Sequence, residues 1–118
     1  MINMESFDII EQYVDDGVNI ETAVAEQIKP GKQLCISINP RYKRWISGRI
    51  TLPAKYNSQL ITYVGDMTGL NRVTEVYFQN NSAYEGIRND SYSGFKTSPS
   101  ISKIVLPNSM KYLGQTAF

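Results

Sequence analysis

The sequence predicts an α+β fold in one domain, with an N-terminal helical pair over residues 1–31 capping a short, irregular β solenoid over residues 32–118. Three observations carry that prediction. Apolar residues recur every three or four positions in the first thirty residues, short alternating runs replace them after Pro30-Gly31, and the second half matches itself at an offset of 28. With 42% hydrophobic and 19% charged residues the chain has the composition of one that buries a core.

The first helix is expected over residues 4–14, "MESFDIIEQYV". Phe7, Ile10 and Val14 fall on one stripe there, Met4, Ile9 and Tyr13 lie beside it, and Ser6 is placed to act as N-cap. "DDG" at 15–17 supplies a stop. A second helix starts at Asn19 with Glu21 in its first turn, gathers Ile20, Ala23, Val24, Gln27 and Ile28 on one face, and ends at Pro30-Gly31. Strand-like runs follow in "QLCISIN", "GRITLP", "TEVYF" and "SKIVLP", separated by Asn, Pro, Gly and Ser clusters.

The self-match pairs Val73, Val76 and Phe78 with Ile101, Ile104 and Leu106, then Asn80 with Asn108, Tyr84 with Tyr112 and Gly86 with Gly114. A looser copy sets Ile50, Leu52 and Pro53 against Ile104, Leu106 and Pro107. Units of this length bury their apolar ridges against neighbouring units, and the end units need covers. The N-terminal pair would be one such cover. The last unit, "IVLPNSMKYLGQTAF", resembles the BspA-type leucine-rich repeat, with Ile101, Ile104, Leu106, Pro107, Ser109, Leu113, Gly114, Ala117 and Phe118 at matching places. The resemblance covers residues 46–118, most closely 101–118, and departs where Gln79 stands for Pro, where the first unit is overlong and at the long connection "IRNDSYSGFKTSP". It implies a leucine-rich-repeat-like array that contacts other macromolecules, in a family associated with bacterial cell-surface adhesion.

Chemistry is constrained from the other side. The chain has no histidine, which excludes Ser-His and Cys-His catalysis within it and removes the imidazole ligand of the usual zinc sites. Cys35, the single cysteine, sits in an alternating run and reads as a small buried hydrophobe. Asp15-Asp16, the adjacent carboxylate pair, reads as loop solvation, and "KPGKQ" lacks the spacing of a phosphate-binding loop. No enzyme activity, metal or cofactor is expected. Apolar runs are short, so no membrane insertion is expected, and Glu5 and Asp8 stand where a secretory signal carries positive charge. The native compartment is set by none of this; the cell surface follows only from the resemblance.

Charge is strongly segregated. Residues 1–28 carry seven acids and no base, residues 29–55 carry seven bases and no acid, and the net charge is +1. Such blocks either neutralise one another internally or face partners of opposite sign.

Three function readings follow. In the first, the outward residues of the strands, Arg49, Thr51, Glu75, Tyr77, Lys103 and Val105, form a non-enzymatic binding surface for a protein or glycan partner. In the second, the chain is a structural subunit of a larger assembly, such as a virion component, that self-associates head-to-tail. In the third, Arg41, Tyr42, Lys43, Arg44 and Trp45 combine cations with stacking faces and bind nucleic acid.

Overall fold

The computed structural model describes residues 4–14, 16–27, 31–88 and 94–114. Among these the structure is built from strands: β1 (Phe7–Tyr13), β2 (Asp16–Asn19), β3 (Ala25–Gln27), β4 (Lys32–Ile38), β5 (Ser47–Leu52), β6 (Lys55–Tyr56), β7 (Gln59–Leu60), β8 (Tyr63–Val64), β9 (Arg72–Phe78), β10 (Gly86–Ile87), β11 (Lys103–Ile104) and β12 (Tyr112–Leu113). The helical elements are two 3-10 turns, Met4–Ser6 and Pro40–Trp45. Among the described residues no helix is long and apolar enough to cross a membrane.

The expected helical pair is therefore overturned. Over residues 7–13 the chain is a strand in which Phe7 is buried and Ile9 half-buried while Asp8 and Ile10 are exposed, and its backbone is paired residue for residue with β4, from Phe7 opposite Ile38 to Tyr13 opposite Lys32. The stripe Phe7, Ile10, Val14 fits helical spacing, but a long-range partner of matching length decides the outcome. Asn19 does not open a helix. Its Oδ1 accepts from the N–H groups of Glu21 at 2.9 Å and Thr22 at 3.3 Å, Ala23 follows at φ 58°, and the chain turns back into β3. Ile28 and Pro30, the expected end of that helix, lie outside the described residues.

The expected solenoid is overturned as well, because the strands form mixed sheets. A seven-stranded sheet has the order β1-β4-β8-β10-β12-β2-β3 and a three-stranded sheet the order β11-β9-β5, with β6 and β7 as a separate hairpin. In the larger sheet β8, β10 and β12 are parallel, whereas the pairs β1/β4, β12/β2 and β2/β3 are antiparallel. The N-terminal strands form two ladders of one bent hairpin. β1 lies on β4, Val14 N–H continues the ladder to Gly31 O at 3.4 Å, and β2 lies on β3. One half of this hairpin flanks β8 through β4, and the other flanks β12 through β2. The central parallel strands are thus clasped from both sides by consecutive segments of chain.

The smaller sheet is parallel throughout. Ile50, Val76 and Ile104 stand in one row, and Arg49, Glu75 and Lys103 in the next. A bulge between Gly48 and Arg49 leaves Thr74 without an opposite residue, and Gly48 takes φ 72° there. The other ladder keeps a different register from the sequence self-match, since Gly86 lies opposite Tyr112 and not Gly114. Close approach explains it. A Cβ on Gly86 would sit 2.7 Å from the Tyr63 ring and 2.8 Å from the Tyr112 carbonyl, so only glycine fits between those tyrosines.

Ile36, Ile38, Ile50, Leu52, Val64, Val76 and Ile87 from both sheets meet in one core cluster with Met67, Leu70 and Tyr84 from the connections. Serines bond the last third of the chain to the segment before it: Ser98 Oγ accepts from Leu70 N–H at 3.0 Å, Ser100 Oγ donates to Asn71 O at 2.7 Å and Ser109 Oγ to Tyr84 O at 2.7 Å. Tyr84, itself buried, donates to Pro53 O at 2.7 Å and meets Phe78 edge-on at 4.9 Å.

Candidate functional site

β9 alternates Val76 and Phe78 inward with Glu75 and Tyr77 outward, and β5 and β11 follow the same alternation on either side. The consequence is a flat exposed face. Arg49, Glu75 and Lys103 form its first row, Thr51 and Tyr77 lie opposite one another in the second, and Val105 follows Lys103 by two on the β11 side. All six outward residues named from the sequence share this face, with Arg49, Thr51, Lys103 and Val105 exposed and Glu75 and Tyr77 half-buried.

Tyr77 organises the face. Its hydroxyl donates to the Glu75 carboxylate, the Arg49 guanidinium carbon lies 3.8 Å from its ring centre, and Lys103 Nζ lies 5.7 Å away. The two cations come from the two flanking strands and attract the ring's negative faces. The ring is stacked by Arg49, so the face offers fixed charges and hydrogen-bonding edges more than an open aromatic platform. Two cations and one carboxylate leave it net positive. Beside β11 runs a groove of about 420 Å³ lined by Phe95, Ile101, Ile104 and Leu106, with Lys103 at its rim.

The basic-aromatic stretch is divided by the fold. Asn39 Oδ1 accepts from Arg41 N–H at 3.1 Å and starts the turn, with Pro40 at its first position. Tyr42 then packs half-buried against the core, while Lys43 Nζ reaches to within 3.5 Å of the place a Cβ on Gly69 would occupy. Arg41, Arg44 and Trp45 point outward, with Trp45 72% exposed and the Arg44 guanidinium 5.9 Å from its ring. Sequence reasoning missed the neighbours that folding brings here. Arg72 pairs with Ser47, two residues beyond Trp45, and Lys96 O accepts from Gly69 N–H at 3.3 Å. The signal was present, since residues 39–52, 67–74 and 94–104 contain no acid.

Among the described residues no three of the Asp, Glu and Cys side chains cluster as metal ligands. Asp16 lies on β2, and Asp15 lies outside the described residues. Cys35 is fully buried, and desolvation pushes its thiol up to about 11. Ala117 and Phe118, which carry part of the family resemblance, also lie outside the described residues.

No family model matches the chain, and no curated protein or solved structure matches it.

Proposed function

We propose that the chain is a binding module without chemistry of its own, and that it recognises a protein partner through the exposed face of β5, β9 and β11. The observation that carries this reading is the Tyr77 cluster, in which Arg49, Glu75 and Lys103 hold fixed positions around one aromatic ring. Aromatic and Arg side chains with little freedom left to lose are the groups that dominate protein interfaces. The resemblance of residues 101–118 to the BspA-type repeat supports the same class of role. A glycan partner is the weaker fit, because Arg49 already stacks on the Tyr77 ring. Selection of a displayed random-peptide library on the folded chain tests the proposal. Enriched peptides should lose about tenfold or more in affinity for Arg49→Ala and Tyr77→Ala variants, a change of about 1.4 kcal/mol. Peptides that bind both variants as well as the parent would overturn it.

A second reading is favoured by one observation, the exposure of Trp45 with the Arg44 guanidinium 5.9 Å from its ring. Here the chain binds single-stranded nucleic acid by stacking and phosphate contact. Retention on a phosphate-bearing resin should weaken with salt and disappear in an Arg41, Lys43, Arg44 to Ala triple variant. Retention indifferent to salt excludes it.

A further inference from the structure

β11 is the last strand of the smaller sheet, and its pairing with β9 leaves one set of backbone groups over. Ile104 lies opposite Val76, and Val105 N–H donates to Val76 O at 2.9 Å, so Lys103 and Val105 aim their backbone groups at β9. Alternation along a parallel ladder then turns the N–H and C=O of Ile104 to the open edge. The groove of about 420 Å³ runs along the same edge, with Phe95, Ile101 and Leu106 beside Ile104 and the exposed Lys103 at the rim. On the outer side the first row reads Arg49, Glu75, Lys103, so charge alternates along it and ends on a cation beside the edge. Arg49, at the other end of the row, already lies over the Tyr77 ring.

We propose that the partner is an extended acidic segment that adds to β11 as a further, antiparallel strand. One apolar residue of the segment exchanges both hydrogen bonds with Ile104 and shares its side of the sheet, so its side chain enters the groove. The residue after it stands opposite Lys103, and the residue before it opposite Val105. An Asp or Glu opposite Lys103 continues the alternation of the row, and opposite charges across a strand pair are favourable. The backbone bonds supply affinity that any extended chain can draw on, whereas the groove and Lys103 select an apolar residue followed by an acid. A second copy of β11 is the poorer occupant. Paired about Ile104, it would set Val105 opposite Lys103 and bring two net positive faces side by side. This mode of contact rests on the chain being a binding module, and it moves recognition from the centre of the face to its β11 edge.

Fluorescence anisotropy with two short labelled peptides tests it, one alternating Val and Glu and the other alternating Val and Lys. The parent chain should bind the Val/Glu peptide with a Kd of about 100 μM or tighter, and the Val/Lys peptide about tenfold more weakly or worse. Lys103→Gln should erase most of that preference, and because Lys103 is exposed, far-UV circular dichroism should be unchanged. N-methylation of the Val residues, whose N–H groups are aimed at Ile104 O, should abolish binding to the parent chain. N-methylation of the Glu residues, whose N–H groups point away from β11, should leave the affinity within about twofold. No saturable binding of the Val/Glu peptide up to about 1 mM overturns the proposal. So does equal affinity for the two peptides, indifference to both methylation patterns, or loss confined to the Glu-methylated form. Arg49→Ala, which weakens capture of library peptides under the preceding reading, should leave Val/Glu binding unchanged. If library peptides depend on Arg49 and Tyr77 while the Val/Glu peptide does not bind, the edge is refuted and the face stands.

Discussion

Arg49 on β5 stacks on Tyr77 of β9 at 3.8 Å from guanidinium carbon to ring centre, across a ladder in which the residue opposite Arg49 is Glu75 and the residue opposite Tyr77 is Thr51. The contact is therefore diagonal, and it brings a cation over an aromatic ring whose hydroxyl is already engaged by Glu75. A double-mutant cycle with Arg49→Ala and Tyr77→Leu should show a coupling of about 0.5–1 kcal/mol, the size expected at an exposed site. Arg49→Lys should lose most of it, because the planar stack is lost while the charge is kept. Urea unfolding of the four proteins measures both.

Gly86→Ala should cost about 1–3 kcal/mol, the usual scale of overpacking. One of the two atoms that a Cβ would strike is the backbone carbonyl of Tyr112, at 2.8 Å, which cannot rotate away as a side chain could. Thermal unfolding should show a clear drop in midpoint. The same substitution at Gly48, where nothing lies within 4 Å of the added Cβ, is opposed only by its φ of 72° and should cost less.

Gln79, which follows β9, has two tasks. Its N–H donates to Leu52 O at 2.9 Å, and its Oε1 accepts from Ala54 N–H at 2.8 Å. Gln79→Pro removes the donor and the acceptor together. The expected loss is about 2–3 kcal/mol in chemical denaturation, since Ala54 is buried and its N–H would be left unsatisfied.

Cys35 sets a pH dependence of known sign. Burial holds its thiol protonated up to about 11, against 9.0 in an open chain, so the folded state binds the proton more tightly. Stability from this group is whole below about pH 9 and is lost as pH rises through 11, with about 2 kcal/mol gone by about pH 11. Tyr63 and Tyr84, both pushed up by burial, act in the same sense at higher pH. Comparing the parent with Cys35→Ala isolates the thiol: the difference in unfolding free energy between them should shift by about that amount between pH 8 and 11. Alkylation of the folded protein at pH 8 should be slow, with the rate set by opening of β4.

β4, β5, β9 and β11 were legible because each lies in a run with a local alternating pattern, whereas β6, β7, β8, β10 and β12 were not read as strands. Alternation around Ile50, Val76 and Ile104 sorts the neighbouring residues to opposite faces, and that sorting placed Arg49, Tyr77 and Lys103 together. The N-terminal third was not legible. Phe7, Ile10 and Val14 satisfy helical spacing, and the pairing that overrides it involves residues up to 31 positions away, from Phe7 to Ile38. Asn19 is favoured at both helix starts and turns, so its presence could not choose between them. The offset of 28 likewise read Gly86 against Gly114, whereas contact between the backbone and two tyrosines moved the ladder to Tyr112. Arg72 came opposite Ser47 through the pairing of β9 with β5, and Lys96 came to Gly69 through a backbone hydrogen bond, and both are long-range relations that no local pattern reveals.

The bent N-terminal hairpin ties β8 and β12, the first and last of the three central parallel strands, to adjoining segments of the same chain. Neither outer strand can peel away alone, because loosening one flank pulls on a ladder that also secures the opposite flank. Melting should therefore be all-or-none, with calorimetric and van't Hoff enthalpies in agreement. Cutting both connections, β1 to β2 and β3 to β4, would free the two flanks from each other and turn a single sharp transition into gradual fraying.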